Sequence, residues 1–218
     1  MRAKGQGRRE RLSAMDMNLT KRARQKIATR IAVIEAARRV FATKGYDAAT
    51  IAAIAKAAKV SPGTVLNAAS TKIALLNEVM RADFEQLGAD CEGLASSLSA
   101  AGPKEAVAAL LEQHLARHAE NLDLMRAAIG HCWTAEGDHF SALYANLDIA
   151  WRPVRRILET AERDGRLNGM DARELTQFLQ DAYLGVLRRC VAERMDLFAA
   201  SSLMRVRLDL VLGAALKV

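Results

Sequence analysis

The feature that most constrains the fold of this chain is a pair of short helix-forming segments within residues 50–69, separated by a brief turn. Thr50 is a favourable cap for the first segment, and Ser61 followed by Pro62 is a start signal for the second. Only Lys59 and Val60 are left between the segments to form the turn. Two short helices joined in this way predict a helix-turn-helix, whose second helix can enter the major groove of DNA.

The composition favours helices throughout the 218-residue chain. Aromatic residues make up only 5% and there are 3 prolines, whereas sheets prefer aromatic and β-branched residues. No window approaches ~18 consecutive apolar residues, and no apolar stretch follows the basic N-terminus, so we expect neither a transmembrane helix nor a secretory signal. Three cysteines without close pairing indicate a reducing compartment rather than a disulfide framework. The sequence therefore predicts an all-α cytoplasmic protein.

Positive charge is concentrated in the first third of the chain. Residues 1–72 contain 16 Lys and Arg against 4 Asp and Glu, a net charge of +12, whereas the remaining residues carry a net charge of −5. This asymmetry is typical of a nucleic-acid-binding head on a body that does not bind nucleic acid. The alternative is a basic disordered tail without a binding role.

The helix that precedes the motif is predicted to begin near Thr20 and to end at Lys44 and Gly45, where glycine can adopt a left-handed cap. Its apolar residues recur three or four positions apart, which predicts one buried stripe. The stripe comprises Ile27, Ile31, Ile34, Ala37 and Phe41.

Residues 41–76 carry a set of motifs that resembles the TetR/AcrR family of bacterial transcriptional regulators. The likeness extends over about residues 27–80 and rests on Phe41, Lys44-Gly45-Tyr46, Thr50-Ile51, Val60-Ser61-Pro62-Gly63-Thr64, and Thr71-Lys72 followed by Leu75-Leu76. It implies an all-α protein with an N-terminal three-helix helix-turn-helix DNA-binding domain and a C-terminal helical effector-binding and dimerisation domain. The expected boundaries are a disordered basic arm over 1–20, the DNA-binding domain over 21–71 with its motif at about 50–69, and the ligand-binding and dimerisation domain over 72–218.

The chain departs from the family pattern inside the motif. Where the family commonly has aromatic residues at the end of the recognition helix, this sequence has Leu66, Asn67, Ala68 and Ala69, and Lys59 stands where a glycine is usual in the turn. We therefore expect other positive charges to contact the phosphates. The predicted DNA-binding residues are Lys21, Arg22, Arg24, Thr50, Lys59, Ser61, Pro62, Gly63, Thr64, Asn67 and Lys72.

The segment after the motif is predicted to be a series of helices. One of them, over about residues 140–163, contains Pro153, which should bend or break it near residues 150–152 because proline removes a backbone hydrogen bond. Another should begin at Asp171, with Glu174 three residues later, in a pattern like a capping box.

All four histidines and both tryptophans lie between residues 114 and 151. Apolar cavities with aromatic walls and a few polar groups are typical of ligand sites, so this region is predicted to line an effector cavity. The expected ligand-binding residues are His114, His118, Trp133, Phe140, Tyr144, Trp151 and Phe178. Ordinary core packing is the alternative for each of them, and a metal site formed with His131, Cys132 and His139 is a further one. We predict no metal and no cofactor.

The last helix, predicted over about residues 199–216, has apolar residues on more than one face. Because the chain is too short to cover both faces, we expect a second copy to cover one of them, and the resemblance likewise implies dimerisation through the last two helices. The predicted interface residues are Phe178, Ala182, Leu203, Val206, Leu210 and Ala214. The alternative is a helix central to the core of a single chain.

These observations predict a transcriptional regulator and no enzyme, because no recognisable set of catalytic residues is present. The expected function is repression by a homodimer on a palindromic DNA operator, relieved by a small lipophilic or aromatic effector. Two alternatives stay open: an all-α metal-binding protein or enzyme with a basic N-terminal tail, and a DNA-binding regulator whose body binds a protein.

Overall fold

The computed structural model describes residues 20–134 and 138–217, and the side chains of these residues outside 131–144. Within these ranges the chain is helical, which confirms the predicted all-α class, and only an isolated bridge between Leu167 and Leu216 has strand-like pairing. The helices are α1 (Lys21–Ala48), α2 (Ile51–Ala58), α3 (Pro62–Ala68), α4 (Lys72–Ser97), α5 (Pro103–Ala119), α6 (Leu122–Thr134), α7 (Asp138–Arg163), α8 (Ala172–Glu193) and α9 (Leu197–Ala215). The basic arm lies outside the described residues except for Thr20, which caps α1.

Helices α1, α2 and α3 form the predicted helix-turn-helix head, and local capping explains where they begin. The Thr50 hydroxyl accepts a hydrogen bond from the Ala53 N–H, and the Ser61 hydroxyl accepts one from the Thr64 N–H. Pro62 occupies the first turn of α3, where its missing N–H costs no helical hydrogen bond. These start signals are therefore confirmed.

The end predicted for α1 is confirmed, whereas its apolar stripe is only half correct. Gly45 interrupts the helix with φ 75° and ψ 160°, a backbone conformation that favours glycine. Ile27 and Ile31 are 47% and 57% exposed, because the first three turns of α1 extend beyond the core. Burial begins at Val33 and continues to Phe41.

Helices α4 to α9 form the body, and α4 joins it to the head. One continuous apolar core runs from α1 through α4 into α7 and α8. The break expected in α7 is absent: the helix continues through Pro153 to Arg163. Close packing against α4 holds α7 in place there, because Gly88 of α4 has no side chain and lies against the backbone of Ile149 and Ala150.

The last two helices pack on each other and on the rest of the body. Asp171 caps α8 by accepting hydrogen bonds from the N–H groups of Arg173 and Glu174, as predicted. Arg207 of α9 donates a hydrogen bond to the Ala182 carbonyl of α8 at 2.6 Å. The inner face of α9 is buried at Ala200, Met204, Leu208, Leu212 and Ala215.

Candidate DNA-binding surface and effector site

The recognition helix α3 presents one face to solvent and packs the other against the head. Val65 is fully buried, whereas Ser61, Pro62, Gly63 and Asn67 are exposed and Thr64 is half-buried. The Thr64 hydroxyl lies 2.9 Å from that of Ser61, so the two start-of-helix hydroxyls are paired with each other. Asn67 therefore combines an exposed amide with a position one turn from Thr64, which suits it to hydrogen-bond the edge of a base.

The turn between α2 and α3 contains an unusual backbone conformation. Lys59 has φ 56° and ψ 42°, in the left-handed region, and its side chain is exposed. Its backbone N–H closes α2 by bonding the Lys56 carbonyl at 3.3 Å. A residue with a Cβ is strained in this region, so glycine would suit the turn better than lysine. The backbone conformation therefore does not explain why a lysine stands here.

Arg30, which the sequence analysis did not single out, connects α1 to the end of the recognition helix. Its guanidinium donates a hydrogen bond to the Ala68 carbonyl at 2.9 Å and pairs with Glu78 of α4 at 2.8 Å. Ala68 lies at the C-terminus of α3, where carbonyls lack helical partners. The sequence did contain a signal for Arg30, because it lies one helical turn after Lys26 in the same run of basic residues.

The first turns of α1 carry basic residues that were predicted to contact DNA. Lys21, Arg22, Arg24 and Lys26 are exposed on this extension. Side chains of this kind can neutralise phosphates beside the groove that the recognition helix enters. Thr50, which was also expected to contact DNA, is exposed while its hydroxyl caps α2.

Lys72 is occupied within the head rather than extended into solvent. Its ammonium group donates to the carbonyls of Tyr46, Asp47 and Ala49 at 3.0, 3.2 and 3.2 Å, and it lies 4.4 Å from the centre of the Tyr46 ring. An ammonium group has three N–H donors, and these three carbonyls account for them. Lys72 thus fastens the start of α4 to the turn that follows Gly45.

In the body, three of the predicted effector residues form a buried cluster with a fourth residue. His114 and His118 of α5 and Trp151 of α7 are joined by Tyr183 of α8, and we call these four residues the histidine–aromatic cluster. The His114 ring centre lies 5.4 Å from that of Trp151 and 5.9 Å from that of Tyr183. The Tyr183 hydroxyl and His118 Nδ1 are 2.5 Å apart, at hydrogen-bonding distance. Tyr183 was missed because it lies 65 residues from His118 in sequence.

Several polar atoms of this cluster are buried without a partner. Within the described part of the chain, neither nitrogen of His114 nor Nε1 of Trp151 makes a hydrogen bond. The Ala150 backbone lies near His114 but outside hydrogen-bond geometry with it. Leaving such a buried group unsatisfied costs about 1–3 kcal/mol, so these atoms oppose the stability of the ligand-free body.

Burial keeps the cluster uncharged. Desolvation lowers the pKa of His114 to about 4, against a smaller opposing effect of the Ala150 backbone. Desolvation also lowers the pKa of His118 to about 3, with smaller contributions from His114 and Arg117. Burial raises the pKa of Tyr183 well above its ordinary value. At neutral pH the cluster therefore offers neutral hydrogen-bonding groups.

A small cavity of about 20 Å³ adjoins His118 and reaches towards the head. Its polar lining includes Asp83, Arg117 and Asn121, and its apolar lining consists of Met80, Leu124 and Met125. Asp83 also pairs with Arg38 of α1. The cavity thus places the histidine–aromatic cluster and a contact between head and body on either side of the same space.

The other predicted effector residues are not brought into this cluster. Phe178 is 58% exposed on α8 and lies at the surface. The side chains of Trp133, Phe140 and Tyr144 lie outside the described residues, as do those of His131, Cys132 and His139. Within the described part of the chain, no group of three His, Cys, Asp or Glu is placed to hold a metal ion.

The predicted interface residues leave an apolar surface uncovered on the last two helices. Phe178, Val206 and Leu210 are 58%, 57% and 72% exposed, Ala214 is exposed, and Ala182 and Leu203 are half-buried. Phe198, at the start of α9, is also exposed. No helix among the described residues is long and apolar enough to cross a membrane.

Comparison with known proteins identifies the head and the fold. Residues 33–79 match the family described as bacterial regulatory proteins, tetR family. FadR of Thermus thermophilus, a TetR-family transcriptional repressor solved in complex with lauroyl-CoA, superposes with a TM-score of 0.74 and 22% identity, covering 87% of this chain and 96% of that one. No curated protein matches the chain.

Two further FadR structures share the fold. FadR of Bacillus subtilis, solved in complex with stearoyl-CoA, has a TM-score of 0.65 and 22% identity over 84% of this chain and 98% of its own. The fatty acid degradation regulator FadR of Bacillus halodurans has a TM-score of 0.66 and 20% identity over 81% of this chain and 96% of its own. At these identities the likeness establishes the common fold.

Proposed function

Because this chain is a TetR-family transcriptional regulator, we propose that it represses transcription as a homodimer on a palindromic operator until a small lipophilic effector releases it. The observation that carries the proposal is the exposed face of the recognition helix, where Asn67 is available to a base edge. The basic residues in the first turns of α1 are exposed and supply phosphate contacts.

The apolar surface of α8 and α9 supports the homodimer. Phe178, Val206 and Leu210 are each more than half exposed to solvent in the single chain. Exposed apolar patches of this kind mark interaction sites. A second copy of the same surface is self-complementary in a two-fold dimer. Such a dimer presents two recognition helices, which suits half-sites about 34–36 Å apart on a palindrome.

The histidine–aromatic cluster supports an effector site in the body. It combines apolar walls with a few convergent polar groups, and the polar atoms of His114 and Trp151 are unsatisfied. The FadR proteins that share the fold were solved with lauroyl-CoA and stearoyl-CoA, so long-chain acyl-CoA is the first effector class to be tested.

Release follows as a population shift between body conformations. Arg38 of α1 pairs with Asp83 of α4, and Asp83 shares a cavity with His118. An effector that repacks the body around His118 therefore changes the contacts that hold the head on α4. In the effector-bound conformation the two recognition helices no longer match successive major grooves.

The test is titration of the full chain onto DNA from upstream of its own gene, followed by fluorescence anisotropy. We expect two chains per palindrome and release by lauroyl-CoA at micromolar concentrations. Asn67→Ala should relax base preference at one position per half-site by ~1–3 kcal/mol, while Ser70→Ala, an exposed neighbour beyond the helix, should change nothing. Binding of every operator variant by Asn67→Ala as by the parent chain would contradict base reading by Asn67.

A further inference from the structure

Three polar atoms of the histidine–aromatic cluster lie unpartnered on two neighbouring rings in the buried core. Trp151 Nε1 is a donor only, and a neutral histidine carries one donor and one acceptor nitrogen. Both nitrogens of His114 and Nε1 of Trp151 are buried and unpartnered, and the two ring centres lie 5.4 Å apart. Unused donors on two rings in contact suit a single oxygen that can accept two hydrogen bonds.

We propose that His114 and Trp151 together bind an uncharged carbonyl oxygen of the effector, while the surrounding apolar side chains hold its hydrocarbon part. This inference rests on the proposed function, because it names the chemical group that the effector site recognises. No group among the described residues satisfies either donor, so a carbonyl that reaches them supplies hydrogen bonds that the chain itself does not.

Because the cluster is uncharged, it selects against a carboxylate. Among the described residues, the rings packed around His114 are those of His118, Trp151 and Tyr183, all uncharged, and Arg117, whose charge acts on His118, pairs with Glu120. An ionised carboxylate at His114 would be buried without a counter-charge, which is strongly unfavourable. A ketone, ester or thioester carbonyl carries no such penalty.

An effector would reach the cluster by repacking of side chains rather than through an open channel. The cavity beside His118 has room for about one water molecule, and two of its apolar walls are Met80 and Met125. Methionine side chains are unbranched and adapt readily to a new neighbour. A hydrocarbon chain can therefore enter by displacing flexible side chains towards the cluster.

The test compares probes that differ only at the carbonyl. Lauroyl-CoA and dodecyl-CoA, its thioether analogue, share the chain and the CoA group, whereas 2-decanone and decane form a pair without CoA. We expect each carbonyl probe to bind the full chain at least tenfold more tightly than its partner, measured by calorimetry. In His114→Leu this preference should vanish, and in His114→Gln, which retains a donor, it should partly return.

The stability of the variants separates recognition from folding. His114→Leu removes an unsatisfied buried polar group, so its melting temperature without probe should be unchanged or raised. The matched control is Thr176→Val, a buried polar position outside the cluster whose hydroxyl is bonded to the Ala172 carbonyl, which should keep the carbonyl preference.

Each outcome either supports or overturns the carbonyl site. Equal affinity for both members of a pair overturns the carbonyl site, and so does binding of neither carbonyl probe. If lauroyl-CoA binds without this preference and still releases the operator, the proposed function stands and the inference falls. If 2-decanone shows a preference dependent on His114 while lauroyl-CoA does not bind, the carbonyl site stands and the acyl-CoA effector falls.

Discussion

Gly88 of α4 lies against the carbonyl oxygen of Ile149 in α7, so closely that a Cβ at position 88 would be 3.0 Å from that oxygen. The Ile149 carbonyl is also the one that Pro153, four residues later, cannot bond, because proline has no N–H. The two helices therefore meet at the point where α7 lacks a helical hydrogen bond. This contact joins the helix that carries the head to the helix that carries Trp151.

Gly88→Ala should destabilise the body by about 1–3 kcal/mol, because the added methyl group meets the backbone of α7 and forces the two helices apart. Gly93→Ala is the matched control: it lies on the same helix with nothing within 4 Å of a Cβ, and it should stabilise by about 0.5–1 kcal/mol. Urea denaturation measures both. Equal effects of the two substitutions would contradict the close approach.

Lys59→Gly should raise the free energy of unfolding by about 1 kcal/mol relative to Lys59→Ala, because only glycine adopts a φ of 56° without strain. Both variants lose the same charge, so the phosphate contact predicted for Lys59 should weaken operator affinity equally in the two. Equal stability of Lys59→Gly and Lys59→Ala would show that the backbone at position 59 is not strained. Operator affinity equal to that of the parent chain would show that Lys59 does not contact DNA.

Lys72→Ala should lower the melting temperature of the protein, since three backbone carbonyls lose their donor. Its effect on operator affinity should come through the position of the head, leaving the salt dependence of binding nearly unchanged. Lys26→Ala, on the exposed extension of α1, should instead reduce the log-log salt slope by about 0.9 with little change in melting temperature. A reduced slope in Lys72→Ala would show that Lys72 contacts a phosphate directly.

Leu210→Glu should convert the protein to monomers and abolish operator binding, because the interface would bury a charge without a partner. Its fold should survive, since Leu210 is 72% exposed within one chain. Ile27→Glu makes the same change at an exposed apolar residue of the head and should leave the dimer intact. Sedimentation velocity separates the two, and a stable Leu210→Glu dimer would locate the interface on another surface.

The free energy of unfolding should fall as the pH drops below about 6.5. In the folded chain His114 and His118 resist protonation down to about pH 4 and pH 3, whereas the unfolded chain takes up these protons near 6.5. The unfolded state therefore binds more protons within this window, and stability declines by roughly 1.4 kcal/mol per pH unit for each histidine. Denaturation at several pH values should show a shallower decline in His114→Leu, and identical declines would mean that His114 titrates normally.

Much of the head could be predicted from sequence because its signals are local. The hydroxyls of Thr50 and Ser61 bond N–H groups three residues away, and Gly45 needs no neighbour to adopt a positive φ. The candidate effector site was only partly predictable. His114 and His118 share a helix face by spacing alone, but Tyr183 joins them from a distant part of the chain, and no local pattern indicates that pairing.

By itself, then, the sequence determined the helical class, the helix-turn-helix and the caps, since these depend on hydrogen bonds and backbone preferences within a few residues. The tertiary structure alone decided which apolar residues are buried. Ile27 and Ile31 follow the same helical spacing as Phe41, yet they remain exposed because the described residues bury α1 only from Val33 onwards. It also decided the role of Lys72, whose ammonium group meets three carbonyls only after α4 has docked beside the turn at Gly45. Whether a side chain is buried, and which groups it bonds, depends on the helices that pack beside it. The periodicity of its own helix does not specify those neighbours.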